Sequence, residues 1–214
     1  MSGDLAAILG LQQAALLAES ACMGRVPVIV AALGQDTLEQ YWRNQPRHAV
    51  RFDTFAEGGQ AVVQHGPAGA VLWMNPHANT YRSVFNRFLR TFWGSTQDLT
   101  RSGFDVDHVY NRARAKHYGY GLVRMFLVRD VINREHGRTY EKGIGAAEKN
   151  RFVKIMKLLD GMTELKVVGV PPVTNGLLTP AHHEAARRCA AHYGISYESA
   201  LDTLRAMFER AGGD

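Results

Sequence analysis

The stretch "FDVDHVYNRARAKHYGYGLVRMFLVRDVINREHG", Phe104–Gly137, holds the decisive changes of period in this chain. Its first part alternates Phe104, Val106, His108 and Tyr110 against Asp105, Asp107 and Val109, the two-residue repeat of a strand. "LVRMFLV", Leu122–Val128, reads as a second strand from its β-branched and aromatic content. Between the two lies "NRARAKHYGYG", a polar, glycine-containing connection loaded with Arg112, Arg114 and Lys116. Asp130 is then placed to cap a short helix that carries Asn133 and His136 and stops at Gly137. The expected order is strand, connection, strand, helix.

On that helix Asn133 and His136 are three residues apart and share a face, and Arg129 points the same way from just outside its start. An Asp, an Asn and a His offer oxygen and imidazole donors suited to one divalent ion, Mg²⁺ or Mn²⁺ first and Zn²⁺ as the alternative. A neutral His beside them can deprotonate an attacking water, because its ordinary pKa lies near neutrality. One geometric demand follows. A regular strand projects Asp107 and His108 to opposite faces, so both serve one site only where the strand bends or ends. Taken singly, each fragment reads as structure: a hydrogen-bonded strand histidine, and a helix end with His near its negative pole. Together, around a basic connection, they favour a catalytic site.

The run resembles the HNH endonuclease family, whose fold wraps a β-hairpin and a helix around one divalent ion. Asp107-His108, Leu122–Val128 and "NREHG" fall in the family's order over 34 of 214 residues. The resemblance implies His108 as general base, Asp107 as a metal ligand, and Asn133 and His136 as the helix-borne metal contacts. The family's middle Asn, which pins the loop, is expected just before Leu122, where this chain has Gly121. Asn111 is the substitute the sequence offers for that loop-positioning role. The cysteine pairs that brace many such domains with structural zinc are absent; Cys22 and Cys189 stand alone.

Charge points the same way. Residues 101–160 hold 13 Lys and Arg against 7 Asp and Glu, while the whole chain carries a net charge of +5. A local basic excess attracts a polyanion. Arg112, Arg114, Lys116, Arg129 and Arg134 are the expected nucleic-acid contacts, with Arg138 and Lys142 of the following "RTYEKGIG" beside them. DNA is the first partner implied, RNA the second, and an acidic inhibitor or immunity protein a further one.

Elsewhere the chain is mostly helical by pattern. Tyr81, Val84, Phe85, Phe88, Leu89 and Phe92 recur at helical spacing and predict a core-facing helix stopped at Gly94. Residues 4–44 read as largely helical, with "VPVIVAAL" open between strand and helix; the segment at 51–74 reads as short strands with turns. "AAEKNRFVKIMKLLDGM" predicts an amphipathic helix, "ELKVVGVPPV" an edge strand, and Thr179 onward two helices divided at Gly194. His182, His183, Cys189 and His192 are read as an exposed helical face rather than a metal cluster.

The expected fold is α+β: a mainly helical domain with short strands and an embedded ββα-metal unit. Its segments are 1–100, of unknown role; 101–160, the nuclease-like unit; and 161–214, a packing region, unless all form one domain. The N-terminal apolar run is interrupted by Gln12 and Gln13 and preceded by Asp4, so neither signal peptide nor membrane span is expected. That places the protein in the cytoplasm or on a signal-peptide-independent route. The function implied is metal-dependent phosphodiester hydrolysis of low sequence specificity, in a toxin, defence or phage setting. The rival is a catalytically inactive HNH-like binding or adaptor protein.

Overall fold

The structure is a computed structural model that describes residues 4–22, 28–45, 49–66, 69–138, 154–159, 161–172 and 177–211. Among these the chain is mixed α/β, with eight α-helices and a seven-stranded sheet, rather than mainly helical. It divides into two compact units, Met1–Leu127 with Gly143–Leu159, and Val128–Lys142 with Asp160–Asp214. The sequence segment 101–160 is shared between them.

In the first unit, helix α1 (Leu5–Cys22) is followed by β1 (Ile29–Ala32) and α2 (Gln35–Arg43). A meander of β2 (Arg51–Ala56), β3 (Ala61–Gly66) and β4 (Gly69–Met74) leads to α3 (Tyr81–Trp93). Then come β5 (Phe104–His108), α4 (Arg112–His117) and β6 (Leu122–Arg129). The sheet runs β2-β3-β4-β6-β1-β7, with β5 also paired to β6; the β4–β6 and β6–β1 pairings are antiparallel. Helix α3 forms as its spacing predicts: Val84, Phe85, Phe88 and Leu89 are buried, and Gly94 ends it in the left-handed conformation at φ 64°.

Strand β6 is the centre. Leu122 to Val128 are all buried, so both faces of the strand are covered. Its entry is a close backbone approach. Gly121 N–H donates to the carbonyls of Ala32 and Leu33 at 3.0 and 3.2 Å, and a Cβ at 121 would stand 2.4 Å from the Leu33 oxygen. No side chain fits there without moving backbone. Within β6 the charged Arg124 is 2% exposed and pairs with Glu19 of α1 at 2.7 Å. Two turns earlier on the same helix, buried Gln12 accepts from Leu127 N–H at 3.0 Å. Helix α1 thus supplies the partners that a polar residue and a backbone donor in a buried strand require.

Two expected elements take the other conformation. Residues 146–153 of the predicted amphipathic helix lie outside the described residues, but its end forms strand β7 (Met156–Leu158), antiparallel to β1. The edge of β1 has backbone groups to satisfy, and the 155–159 segment meets them: Leu33 N–H donates to Ile155 O and Leu159 N–H to Val28 O. A short apolar run carries no period of its own, so pairing decided it.

The second unit contains α5 (Asp130–Arg138), α6 (Gly161–Val167), α7 (Pro180–Tyr193) and α8 (Tyr197–Ala211). The expected edge strand at 164–173 is overturned, since its first residues end helix α6. Leu165 and Val170 are buried there against Ala185, Ala186, Ala190, Ala200, Leu201 and Leu204, a helical core that outweighs the β preference of the valines. Helices α7 and α8 begin and end close to the sequence reading, with Gly194 left-handed at φ 64° between them.

Three variants test this frame by chemical denaturation. Gly121→Asn is expected to cost at least the roughly 1–3 kcal/mol of an overpacked core, because the clash is with backbone. Glu19→Ala is expected to cost about 3–5 kcal/mol by stranding buried Arg124, and Glu19→Leu with Arg124→Met to recover most of it.

Candidate functional site

Asp107 and His108 are the last two residues of β5. Burial alternates along the strand, with Val106 at 3% and His108 at 4% exposed while Asp107 is half-buried, so the two side chains leave on opposite faces until the strand ends at His108. The ladder to β6 continues one step further through Val109 N–H and the Arg124 carbonyl at 2.9 Å.

The connection between the strands is ordered by its own side chains. Asn111 caps α4: its Oδ1 accepts from Arg114 N–H at 3.1 Å, and its carbonyl accepts from Ala115 N–H at 2.9 Å. Gly119, left-handed at φ 70°, turns the chain out of the helix, and Tyr120 N–H returns to the Ala115 carbonyl. Tyr110 and Tyr120 meet edge to face at 5.8 Å across the base of this turn, where burial raises the Tyr120 hydroxyl pKa. What the sequence presents as a polar loop is a short capped helix braced by two tyrosines.

The basic residues of the connection differ in what they do. Arg112 Nε donates to Pro76 O at 2.6 Å, and its Nη2 donates to Ala78 O and Asn79 Oδ1 at 3.2 and 3.1 Å. That guanidinium latches the start of α3 to α4 and lies 5.3 Å from the Tyr81 ring centre. Arg114 and Lys116 are half-buried on α4. Arg129, at the end of β6, and Arg138 are exposed; Arg134 is exposed and paired with Asp130 at 2.9 Å. Lys142 lies outside the described residues.

Sequence reasoning missed the neighbours of His108. Tyr81 packs against the His108 ring at 5.1 Å between centres, although it is 27 residues earlier in the chain and reads only as part of the α3 apolar stripe. Beside it Arg82 donates from Nε to the Tyr81 hydroxyl at 3.2 Å and reaches Asp105 at 3.5 Å. No local spacing signals such a contact. His108, Tyr81, Arg82, Asp105 and Arg112 therefore form one cluster in the first unit.

Asn133 and His136 belong to the second unit. Asn133 is half-buried on α5. His136 is fully buried, and its Nε2 is 2.9 Å from the carbonyl of Val170, an arrangement in which the imidazole donates. Among the described residues no group of three or more His, Cys, Asp or Glu side chains is arranged to hold a metal ion. The expected exposed face of α7 is corrected at His182, which is 1% exposed; burial lowers its pKa. No helix of the described residues is long and apolar enough to cross a membrane. No family model, curated protein or solved structure matches the chain.

The cap at Asn111 is separately testable. Asn111→Ala is expected to lower stability by about 1 kcal/mol and to raise amide exchange in α4, and Asn111→Asp to restore both. Unchanged exchange across 112–117 in the alanine variant would remove the cap from the account.

Proposed function

We propose that the chain is a metal-dependent endonuclease of the HNH type that hydrolyses phosphodiester bonds of DNA with little sequence preference. One observation carries the reading: Asp107 and His108 close β5, β5 pairs with β6, and β6 passes without a gap into α5, the helix of Asn133 and His136. Strand, connection, strand and helix thus follow in the order of the family's pattern. RNA is the second substrate, and an acidic immunity-type protein is the partner that the basic segment suits best.

In this reading His108 takes the proton of the attacking water at a ring nitrogen, and Tyr81 fixes the orientation of that ring. Asp107, half-buried, is an oxygen donor at the end of its strand in the first unit; Asn133, which the sequence pattern pairs with it, belongs to the second. His136 fits a metal less well, because its Nε2 is committed to Val170. A carboxylate oxygen such as that of Asp107 suits Mg²⁺ or Mn²⁺ better than Zn²⁺. When bound, such an ion stabilises charge on the scissile phosphate and eases departure of the leaving oxygen. Arg82, outside the sequence pattern, brings a cation to the same cluster. Arg112 contributes by holding the α3 turn, since its donors are directed to that turn.

A second reading has its own support. His108 is 4% exposed beneath Tyr81, which suits a structural histidine in a catalytically silent nucleic-acid-binding or adaptor protein.

Plasmid DNA incubated with purified protein and Mg²⁺ or Mn²⁺ separates the two. The nuclease reading expects cleavage that EDTA abolishes, and a loss of about 10²–10⁴-fold in rate for His108→Ala. Cleavage that survives both EDTA and the substitution would overturn the mechanism. Binding without cleavage selects the second reading.

A further inference from the structure

We propose that the start of helix α7 is an acid-opened latch, in which His182 accepts the N–H of the N-cap residue Thr179 only while its imidazole is neutral. The inference concerns the second unit alone and does not depend on the nuclease reading.

Helix α7 carries a histidine where a capping box ordinarily has an acid or an amide. A capping box places Ser or Thr at the N-cap and Glu or Gln three residues later, whose side chain accepts from the N-cap backbone N–H. Here the N-cap is Thr179, Pro180 opens the helix, and the third helical residue is His182. Thr179 N–H donates to His182 Nδ1 at 2.8 Å, and Thr179 Oγ1 stands 2.9 Å from the same nitrogen. Because Nδ1 accepts, the ring proton resides on Nε2, which donates to Pro171 O at 3.0 Å. Both ring nitrogens are thereby assigned, and the tautomer is fixed by its partners.

A second proton would sit on Nδ1, facing the Thr179 N–H, and convert that accepted hydrogen bond into a donor–donor contact. The Thr179 hydroxyl oxygen can accept the new proton, but the backbone N–H loses its acceptor. The ring is 1% exposed, so water cannot relieve that conflict without local opening. The groups around it are His183 on the same helix and Glu135 on α5; the former disfavours the imidazolium and the latter favours it. His183 is itself bonded through Nδ1 to the Tyr197 hydroxyl of α8 at 2.6 Å, and Lys166 of α6 is buried in the same unit. Burial is the largest influence and holds the His182 pKa below its ordinary 6.5. A histidine with a depressed folded-state pKa stabilises the fold fully above its unfolded value. That contribution fades as pH falls from about 6.5 toward the folded value. A glutamine at this position would cap at every pH, and a glutamate would titrate about two units lower. Histidine sets the response below its ordinary pKa.

The segment that opens is defined by the bonds lost. Release of Thr179 frees the first turn of α7, while the imidazolium keeps its Nε2–H bond to Pro171 O, next to the Val170 carbonyl held by His136 of α5. Two histidines thus hold consecutive carbonyls ahead of Pro172. His182 also accepts a backbone N–H, and the latch is assigned to that bond.

The test uses the full chain. Hydrogen exchange of the amides at the start of α7 is compared between wild type and His182→Gln at each pH from 7.5 to 5, so that intrinsic exchange chemistry cancels. The opening constant of the wild type is expected to rise by up to about tenfold per pH unit below 6.5, relative to the glutamine variant. His183→Gln is expected to keep the wild-type response. In parallel, ¹⁵N spectra of the wild-type His182 ring should show the proton on Nε2 at pH 7.5. Its titration should coincide with loss of the Thr179 amide signal of the bonded state. A ring carrying its proton on Nδ1 at pH 7.5, or a wild-type exchange profile that parallels His182→Gln throughout, would overturn the latch.

Discussion

A strand buried on both faces that contains an arginine must find that charge a partner, and the first unit is arranged around this requirement. Arg124 of β6 meets Glu19, and the same helix sends Gln12 to the Leu127 N–H. The pair is no simple gain: two ions have been taken out of water, and their attraction mainly offsets that cost. What it supplies is register. With α1 fixed against β6 by a charge pair and an amide, β6 has one position between β4 and β1, and Gly121 lets it enter that position.

This constraint also explains why Gly121 cannot be an asparagine. In the HNH pattern that Phe104–Gly137 resembles, a side chain at that position would pin the connection. Here the Leu33 carbonyl occupies the space, and the connection is held from its other end by the Asn111 cap and by the latch of Arg112 onto the 76–79 turn. The connection is held without a side chain at position 121, by contacts that join α3, α4 and β5. The same contacts bring Tyr81 onto His108.

Much of the architecture was legible because periodicity reports burial. The α3 stripe, the alternation of β5, the runs of β6 and the punctuation at Gly94 and Gly194 all appear where physical pattern places them. The failures share a cause. Residues 154–159 and 164–167 are short segments whose period is ambiguous, and β1 in one case and a helical core in the other decided them. The strand that carries Asp107 and His108 was legible, whereas Tyr81, Arg82 and the buried role of Arg124 depend on contacts between residues far apart in sequence. His182 was missed for another reason. Thr179-x-x-His182 has the spacing of a capping box, but the pattern is ordinarily recognised by Glu or Gln, so histidine there passed as surface.

The central claim is that Asp107 and His108 mark a divalent-metal site of a phosphodiesterase. Titration of Mn²⁺ into isotope-labelled protein, followed by paramagnetic broadening, tests it without assuming a substrate. The account expects saturable broadening centred on the Asp107 amide and the His108 ring, competed by Mg²⁺ and lost in Asp107→Ala. Broadening centred elsewhere, or undiminished in Asp107→Ala, would contradict it.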